Sequence, residues 1–329
     1  MKSVRKLISL IATVALVGGC GVLLDRRADT RALAAEAAYP PTGQFVTVNG
    51  QRVHAHVEGT GPDLVLIHGA SGNTRDFTFD FVDRLKDDYR VIVFDRPGLG
   101  WSDRVSDNFG GPFNTAAESP AQQAAFLQAA ADQLDVRNPI VLGHSYGGAV
   151  ALAWGLNRPE QTAALVVVSG ASNPWPGGLG ALYTVAASSL GGATVVPLIS
   201  AYAPIRQVKS TLDSIFAPQS APEGYAEYIG AGLTLRRETL RANARQVNSL
   251  RPHVVEMATR YPTLPMPVEI VHGTADDVVP LHIHSEPLAR QIPGAVLTRL
   301  EGIGHMPHHS DPEAVVAAIH RAAARARLR

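Results

Sequence analysis

Short apolar segments alternate with longer amphipathic ones along most of the chain. The first two apolar segments flank Asn49-Gly50, a pair that favours positive φ and therefore predicts a β-hairpin. The others are near-continuous runs of valine, leucine and isoleucine, which are typical of strands covered on both faces, as in a parallel sheet. The predicted strands are Phe45–Val48, Arg52–Val57, Leu64–Ile67, Arg90–Phe94, Ile140–Gly143, Ala164–Val168, Val268–His272 and Val296–Leu300.

Helical patterns lie between several of these strands. This alternation predicts an α/β fold with a mostly parallel central β-sheet flanked by helices. The predicted helices outside the middle of the chain are Phe79–Lys86, Pro120–Leu134, Ser145–Asn157, Ser285–Gln291 and Pro312–Leu328.

The segment between Ser169 and Pro267 breaks the alternation, because it contains several helical patterns and no convincing strand. We interpret residues 171–263 as a helical cap, inserted into a core formed by residues 42–170 and 264–329 and packed over one end of the sheet. The alternative is that these helices flank the sheet like the others.

The amino terminus carries a separate apolar segment. Three cations in the first six residues precede an uncharged run from Leu7 to Leu24. At about 1.5 Å per residue this run spans roughly 27 Å, just enough for a bilayer core. We therefore predict a membrane anchor or a lipoprotein-type signal over residues 1–27, with Cys20 lipidated in the second case.

A cleaved signal peptide and an ordinary helix of a cytosolic protein are the alternatives for this segment. The membrane anchor, the lipoprotein-type signal and the cleaved signal peptide each place the catalytic part outside the cytoplasm. An ordinary helix of a cytosolic protein does not. Residues 28–41 are alanine-rich, end in Pro40-Pro41, and are interpreted as a linker.

The amino-acid composition excludes several classes of protein and of binding site for this chain. Apolar residues make up 46% of the 329 residues and charged residues 18%, so the chain can bury a large core. Lysine plus arginine equals aspartate plus glutamate, 29 against 29, which argues against a general nucleic-acid binder. A single cysteine excludes an intrachain disulfide and a cysteine-based metal cluster.

The strongest chemical motif is Gly143-His144-Ser145-Tyr146-Gly147, which follows a predicted strand and opens a predicted helix. In this context G-x-S-x-G places a serine on a sharp strand-to-helix turn with its hydroxyl exposed. Ser145 is therefore the candidate nucleophile.

A serine nucleophile needs a base, and the base needs an orienting acid. Asp276 follows one predicted strand and His305 follows the next, so both lie on loops at the carboxyl edge of the sheet. We predict Asp276 as the acid, with Asp277 as its competitor, and His305 as the base. His308 and His309 follow closely, but without a carboxylate at matching spacing they do not predict a metal site.

The oxyanion of an acyl-transfer intermediate needs hydrogen-bond donors. We expect one from the backbone N–H of Tyr146, directly after the nucleophile. The other is expected from Ala70, in the glycine-containing loop after the strand Leu64–Ile67.

These motifs resemble the α/β-hydrolase superfamily over about residues 43–329. The segment Asp95–Ser102, which reads DRPGLGWS, is similar to the D-x-P-G-x-G-x-S loop of its capped branch, which includes esterases, haloperoxidases and epoxide hydrolases. The resemblance implies an α/β-hydrolase fold, a cap over the pocket, and a structural part for Asp95. Epoxide hydrolases of this branch have an aspartate where this chain has Ser145, so acyl-enzyme chemistry is expected.

We therefore predict a serine hydrolase that cleaves a carboxylic ester or similar acyl substrate through Ser145, His305 and Asp276. A small, apolar acyl substrate, membrane contact through the amino-terminal segment, no cofactor and no nucleic acid are expected. A carbon–carbon bond hydrolase for diketone-type substrates and a non-catalytic, membrane-tethered binding protein remain alternatives, and haloperoxidase-like perhydrolysis uses the same triad. The natural substrate and the oligomeric state are left open.

Overall fold

The computed structural model describes residues 21–328, which are built around one eight-stranded sheet. The strand order is β1-β2-β4-β3-β5-β6-β7-β8; β1 pairs antiparallel with β2 and β2 with β4, and all other neighbours are parallel. This confirms the predicted fold class. The strands are β1 Gln44–Val48, β2 Gln51–Glu58, β3 Asp63–Ile67, β4 Arg90–Phe94, β5 Ile140–His144, β6 Ala164–Val168, β7 Val268–Gly273 and β8 Val296–Leu300.

The central strands are apolar because helices cover both faces of the sheet. Every residue of β5 and β6 is buried, whereas the edge strand β8 has two exposed, two partly buried and only one buried residue. The carboxyl ends of β5, β7 and β8 point to one edge of the sheet, since these strands are parallel through β6. Loops at that edge are therefore brought close together.

Helices pack against the sheet and form the insertion between β6 and β7. The helices of the core are α2 Arg75–Thr78, α3 Pro120–Gln133, α4 Tyr146–Asn157, α11 Ser285–Gln291, α12 Pro307–Ser310 and α13 Pro312–Arg325. The helices of the cap are α5 Ala181–Ala187, α6 Ser189–Tyr202, α7 Ile205–Phe216, α8 Tyr225–Tyr228, α9 Ala231–Thr234 and α10 Arg237–Ala258.

The helix predicted over Phe79–Lys86 is wrong. Regular helix ends at Thr78, and the following residues form turns whose backbone hydrogen bonds span three, four or five residues. Phe81, Val82 and Leu85 are all buried in this segment. Packing of these side chains under the sheet decides the backbone path here, against the helical periodicity that the sequence suggests.

The segment 28–41, predicted as a linker, is mostly helical and packed. A helix over residues 21–38, α1, lies on the cap: Arg27 and Arg31 donate hydrogen bonds to the carbonyls of Ala201 and Ala203 at 3.0 and 2.7 Å. Alanine is the strongest helix former, and its small side chain allows close approach to the cap. Pro40-Pro41 follows the end of the helix, as the restriction on residues preceding proline leads one to expect.

Most of the predicted amino-terminal anchor, including Cys20, lies outside the described residues. Over residues 21–328, no single helix is both long and apolar enough to cross a bilayer. Helices α5 and α6 reach that length and hydropathy only as a pair, and they are bent by 110° at Ser188.

Candidate active site

Ser145 occupies a strained turn between β5 and α4. Its backbone has φ 55° and ψ −119°, a left-handed conformation that non-glycine residues rarely adopt. A Cβ on Gly143 would come within 2.1 Å of the Gly147 carbonyl oxygen, and a Cβ on Gly147 within 2.2 Å of the Ile67 carbonyl oxygen. The two glycines of the motif are therefore required by space, because the turn is pressed against its own strand and the neighbouring one.

The structure brings the three predicted catalytic residues together. His305 Nε2 lies 3.0 Å from Ser145 Oγ, and His305 Nδ1 lies 2.8 Å from Asp276 Oδ2. Asp276 comes from the loop after β7 and His305 from the loop after β8, as their positions at the carboxyl edge require. This geometry allows the imidazole to take the hydroxyl proton while the carboxylate orients the ring.

Asp276 is held as an anion. One carboxylate oxygen accepts the backbone N–H groups of Val278 and Val279, each at 2.9 Å. Burial alone would raise the pKa of this carboxyl, but hydrogen bonds from His272 and His305 outweigh it and hold the pKa far below its ordinary value. The competing Asp277 is exposed to solvent.

His272, the penultimate residue of β7, is a partner of Asp276 that the sequence analysis missed. Its Nε2–H points at the carbonyl oxygen of Val279, 2.8 Å away, and at Asp276 Oδ2, 3.1 Å away. Its Nδ1 lies 2.6 Å from the hydroxyl of Ser285 and accepts its proton. His272 therefore contacts the same carboxylate oxygen as His305 and helps to fix the acid. A histidine ending a buried strand directly before the acid loop is the only sequence signal for this contact.

The two predicted oxyanion donors come from segments that meet at the nucleophile: Tyr146 follows Ser145 in the chain, and a Cβ on Gly69, directly before Ala70, would come within 3.0 Å of Ser145 Cβ. Across residues 21–328, the backbone N–H groups of Ala70 and Tyr146 donate to no protein acceptor, so both are available to a ligand.

The loop after Ala70 is held by the cap. Asn243 on α10 accepts the N–H of Ser71 at 2.7 Å and donates to its hydroxyl at 2.9 Å.

A buried guanidinium lies behind both donors. Arg96 is fully buried, and its guanidinium carbon stacks 4.1 Å from the centre of the Tyr146 ring. It also donates to the Gly69 carbonyl oxygen at 3.4 Å, which belongs to the peptide group that carries the Ala70 N–H. Burial lowers the pKa of Arg96 to about 10, so the group remains cationic at neutral pH. Sequence analysis assigned this residue no part in the site.

Asp95, the first residue of the DRPGLGWS segment, is a structural anchor. It is fully buried and accepts the backbone N–H groups of Thr74 and Trp101 at 2.6 and 2.8 Å. A third partner is His54 on β2, at 2.7 Å. The carboxylate thus joins the loop after β4 to the segment that follows the oxyanion loop.

Asp76 is another buried carboxylate, and it contacts two histidines from the segment that follows His305. Asp76 Oδ1 accepts from the Tyr225 hydroxyl at 2.7 Å and lies 3.0 Å from His309 Nε2 and 3.3 Å from His308 Nε2. Burial would raise the pKa of Asp76, but the two histidines hold it well below its ordinary value.

His144 extends this cluster toward the triad, because its Nε2 donates to the backbone carbonyl of His305 at 2.9 Å. One potential ligand atom from each of Asp76, His144 and His308 lies within 4.8 Å of the others. Asp76 already accepts several hydrogen bonds, so in this arrangement the cluster ties the base-bearing loop to α2 and to the cap.

Three known proteins illustrate what the chain is similar to. An uncharacterized protein of Mycobacterium tuberculosis is 28% identical over 294 residues, covering 86% of this chain and 81% of that protein. The 2-hydroxymuconate semialdehyde hydrolase of Pseudomonas putida is 27% identical over 274 residues, covering 81% and 88%. The esterase RhEst1 of Rhodococcus sp. ECU1013 superposes with a TM-score of 0.64 at 25% identity, covering 85% and 97%.

The profile of the "Alpha/beta hydrolase family" matches residues 64–318, a span that runs from β3 into α13 and includes the cap. Together with the sheet order and the strained serine turn between β5 and α4, this match identifies the chain as a hydrolase that belongs to the alpha/beta hydrolase family.

Proposed function

We propose that this hydrolase cleaves a carboxylic ester or similar acyl substrate through an acyl-enzyme intermediate. Ser145 attacks the acyl carbon while His305 takes the hydroxyl proton, and Asp276 holds the resulting imidazolium. The N–H groups of Tyr146 and Ala70 stabilise the oxyanion, and His305 then protonates the leaving alcohol. A water activated by His305 releases the acid. The continuous contact from Asp276 through His305 to Ser145 carries the proposal.

Substrate entry requires the surroundings of the triad to open. Ser145 is 8% exposed and His305 3% exposed, so neither is accessible to a substrate in this arrangement. Met306, directly after His305, packs in a buried apolar cluster with Phe216, Tyr225 and Ile229 of the cap. A cluster of apolar cap side chains beside the base-bearing loop supports the proposal of an apolar acyl or alcohol group.

We also propose that the amino-terminal segment attaches the protein to a membrane, with the catalytic part outside the cytoplasm. The uncharged run Leu7–Leu24 and the cations that precede it support this placement. Mass spectrometry of the amino terminus of the full-length product distinguishes an intact anchor from a lipidated Cys20 and from a cleaved signal.

The deciding experiment is covalent labelling of the full chain with a fluorophosphonate. We expect labelling of the wild-type protein and its loss in Ser145→Ala, with hydrolysis of short p-nitrophenyl esters lost in parallel. Folded wild-type protein that takes no label contradicts the catalytic proposal and favours a binding protein on the same fold.

A carbon–carbon bond hydrolase is the second candidate, and the similarity to a 2-hydroxymuconate semialdehyde hydrolase is the observation that favours it. The same serine and the same cap serve both reactions. Turnover of short p-nitrophenyl esters that exceeds turnover of a vinylogous ketoacid by orders of magnitude supports the esterase. The reverse order assigns the protein to the second class.

A further inference from the structure

Helices α5 and α6 expose an apolar face on the outside of the cap. No Asp, Glu, Lys or Arg occurs between Glu160 and Arg206, so neither helix carries a charged side chain. Their inner sides pack through Ala186, Ala187 and Val196 against Ala244 of α10. Their outer sides leave large apolar side chains exposed: Leu182 by 56%, Val185 by 40%, Leu190 by 74%, Leu198 by 48% and Tyr202 by 58%.

Neighbouring segments extend this surface. The Ser189 hydroxyl donates to the Phe113 carbonyl at 2.7 Å, and Phe113 is 63% exposed. On the other side, the Arg27 guanidinium of α1 lies 4.7 Å above the Tyr202 ring. We call the combined surface the cap face; it comprises Val22, Leu23, Phe113, Leu182, Val185, Leu190, Leu198 and Tyr202.

The course of the chain indicates what covers the cap face. The uncharged run Leu7–Leu24 leads directly into α1, and its last residues, Val22 and Leu23, belong to the cap face. The exposed charges near the cap face are of both signs: Arg26, Arg206 and Lys209 are cations, and Asp25, which follows Leu23 and Leu24, pairs with Arg237. A large apolar surface bordered by charged side chains has the chemistry of a segment that lies in the headgroup region of a bilayer.

The bent shape of the pair α5 and α6 also fits contact with the surface of a bilayer. Together α5 and α6 have the length and hydropathy of a membrane span, but their 110° bend and their packing on α10 prevent them from crossing a bilayer. A charge-free, bent helix pair that keeps one side on the protein can bury its other side at the membrane surface, where its ends still reach water.

We propose that the cap face rests in the headgroup interface of a lipid bilayer. The proposal builds on the membrane attachment proposed above for the amino-terminal segment, which brings α1 and the cap face to the same surface. Since Asn243 of the cap holds Ser71, directly after the predicted oxyanion donor Ala70, this contact acts on an element that borders the site. The ester is then drawn from the bilayer itself.

Photocrosslinking of the full chain in vesicles of phosphatidylcholine and phosphatidylglycerol tests the contact directly. The photoreactive residue p-benzoylphenylalanine replaces Leu190 or, separately, Leu198. The matched control position is Val296, a 41% exposed apolar residue at the first position of β8, on the sheet edge away from the loops that bear the triad. We expect lipid adducts at the two cap positions and none at the control. Adducts to a second protein chain, or equal lipid adducts at all three positions, overturn the proposal.

A kinetic experiment tests the consequence for catalysis. The double variant Leu190→Glu, Leu198→Glu should hydrolyse a long-chain ester presented in vesicles about tenfold more slowly, because ionised side chains resist burial at the interface. Its rate on a short soluble ester should equal that of the wild type, as should both rates of Val296→Glu. Equal vesicle rates in the double variant and the wild type contradict the inference. If the wild type hydrolyses no ester in either form, the proposed function fails, while the crosslinking result still decides the membrane contact.

Discussion

Asp276 and Asp277 are neighbours in the chain but lie in different environments. Asp276 is 5% exposed and accepts hydrogen bonds from two histidines and two backbone amides, whereas Asp277 faces solvent. Two identical side chains thus differ in electrostatic environment, because one is surrounded by donors that stabilise its charge. At the residue scale, the site is defined by such surroundings more than by residue type.

The substitution Asp276→Asn should lower turnover of a p-nitrophenyl ester by about 10²–10⁴-fold, because an amide no longer stabilises the imidazolium of His305. Steady-state kinetics on a short ester measure this loss. The matched control, Asp277→Asn, should retain wild-type turnover. Near-normal activity of the first variant and a large loss in the second would move the role to Asp277.

We infer that Arg96 positions the proposed oxyanion donors, because it is fully buried and touches the ring of Tyr146 and the peptide group of Ala70. The substitution Arg96→Met should lower kcat about tenfold with little change in KM, because transition-state stabilisation is weakened while binding is not. The melting temperature should not fall, since a buried cation without an acidic hydrogen-bond partner is replaced by an apolar side chain of similar length. Partial recovery of kcat in Arg96→Lys is expected; equal loss in both variants with lowered stability contradicts this role.

At the scale of elements, α1 behaves as part of the cap. Arg236 holds it through Glu36 at 2.9 Å, and the same guanidinium donates to the carbonyls of Leu233 and Gly100. Its neighbour Arg237 instead pairs with Asp25 and Asp29, both more than half exposed. Arg236 therefore belongs to a partly buried hydrogen-bond network, whereas the ion pairs of Arg237 are screened by solvent.

Arg236→Ala should weaken the docking of α1 on the cap by about 1–3 kcal/mol, because the charge-assisted hydrogen bond to Glu36 is lost. Hydrogen–deuterium exchange of residues 21–38 should rise in this variant while exchange in β5 and β6 stays unchanged. Arg237→Ala is the control and should change exchange little, since exposed ion pairs contribute about 0–1 kcal/mol. Similar exchange in the two variants would show that the buried network does not hold the helix.

For the whole molecule, buried histidines make folding depend on pH. Burial lowers the pKa of His68, His284 and His308 to about 4 each, against an ordinary value of 6.5. Between these values the unfolded chain binds more protons than the folded one, so stability falls as the pH is lowered. The depressed pKa values of Asp76 and Asp276 act in a lower window, where stability is lost below about pH 3.9.

The midpoint of urea unfolding should therefore drop steadily from pH 7 to pH 4, with each of the three histidines contributing at most about 1.4 kcal/mol per pH unit. His308→Gln should reduce this slope, because it removes one group that the folded protein keeps neutral. His282→Gln, at an exposed position, should leave the slope unchanged. A midpoint independent of pH over this range would contradict the assignment of buried neutral histidines.

A structural feature could be predicted from the sequence when contiguous residues determine it, and could not when it depends on contacts between distant residues. The eight strands were predicted because apolar runs of that length have few other structures, and the serine turn because its glycines, strand and helix are contiguous. The helix predicted at Phe79–Lys86 failed because burial under the sheet overrode its periodicity. The buried contacts of Asp76 with Tyr225 and His308 were missed, since these residues lie 149 and 232 positions from Asp76 along the chain.

The sequence by itself determined the alternation of strands and helices, the serine at the turn, and the order of acid and base along the chain, because each depends on contiguous residues. Only the tertiary structure decided which aspartate is buried, that Arg96 and His272 brace the site, and that the alanine-rich segment before Pro40 packs on the cap. Those outcomes depend on which distant surfaces meet, and burial changes the chemistry of a side chain only after they have met.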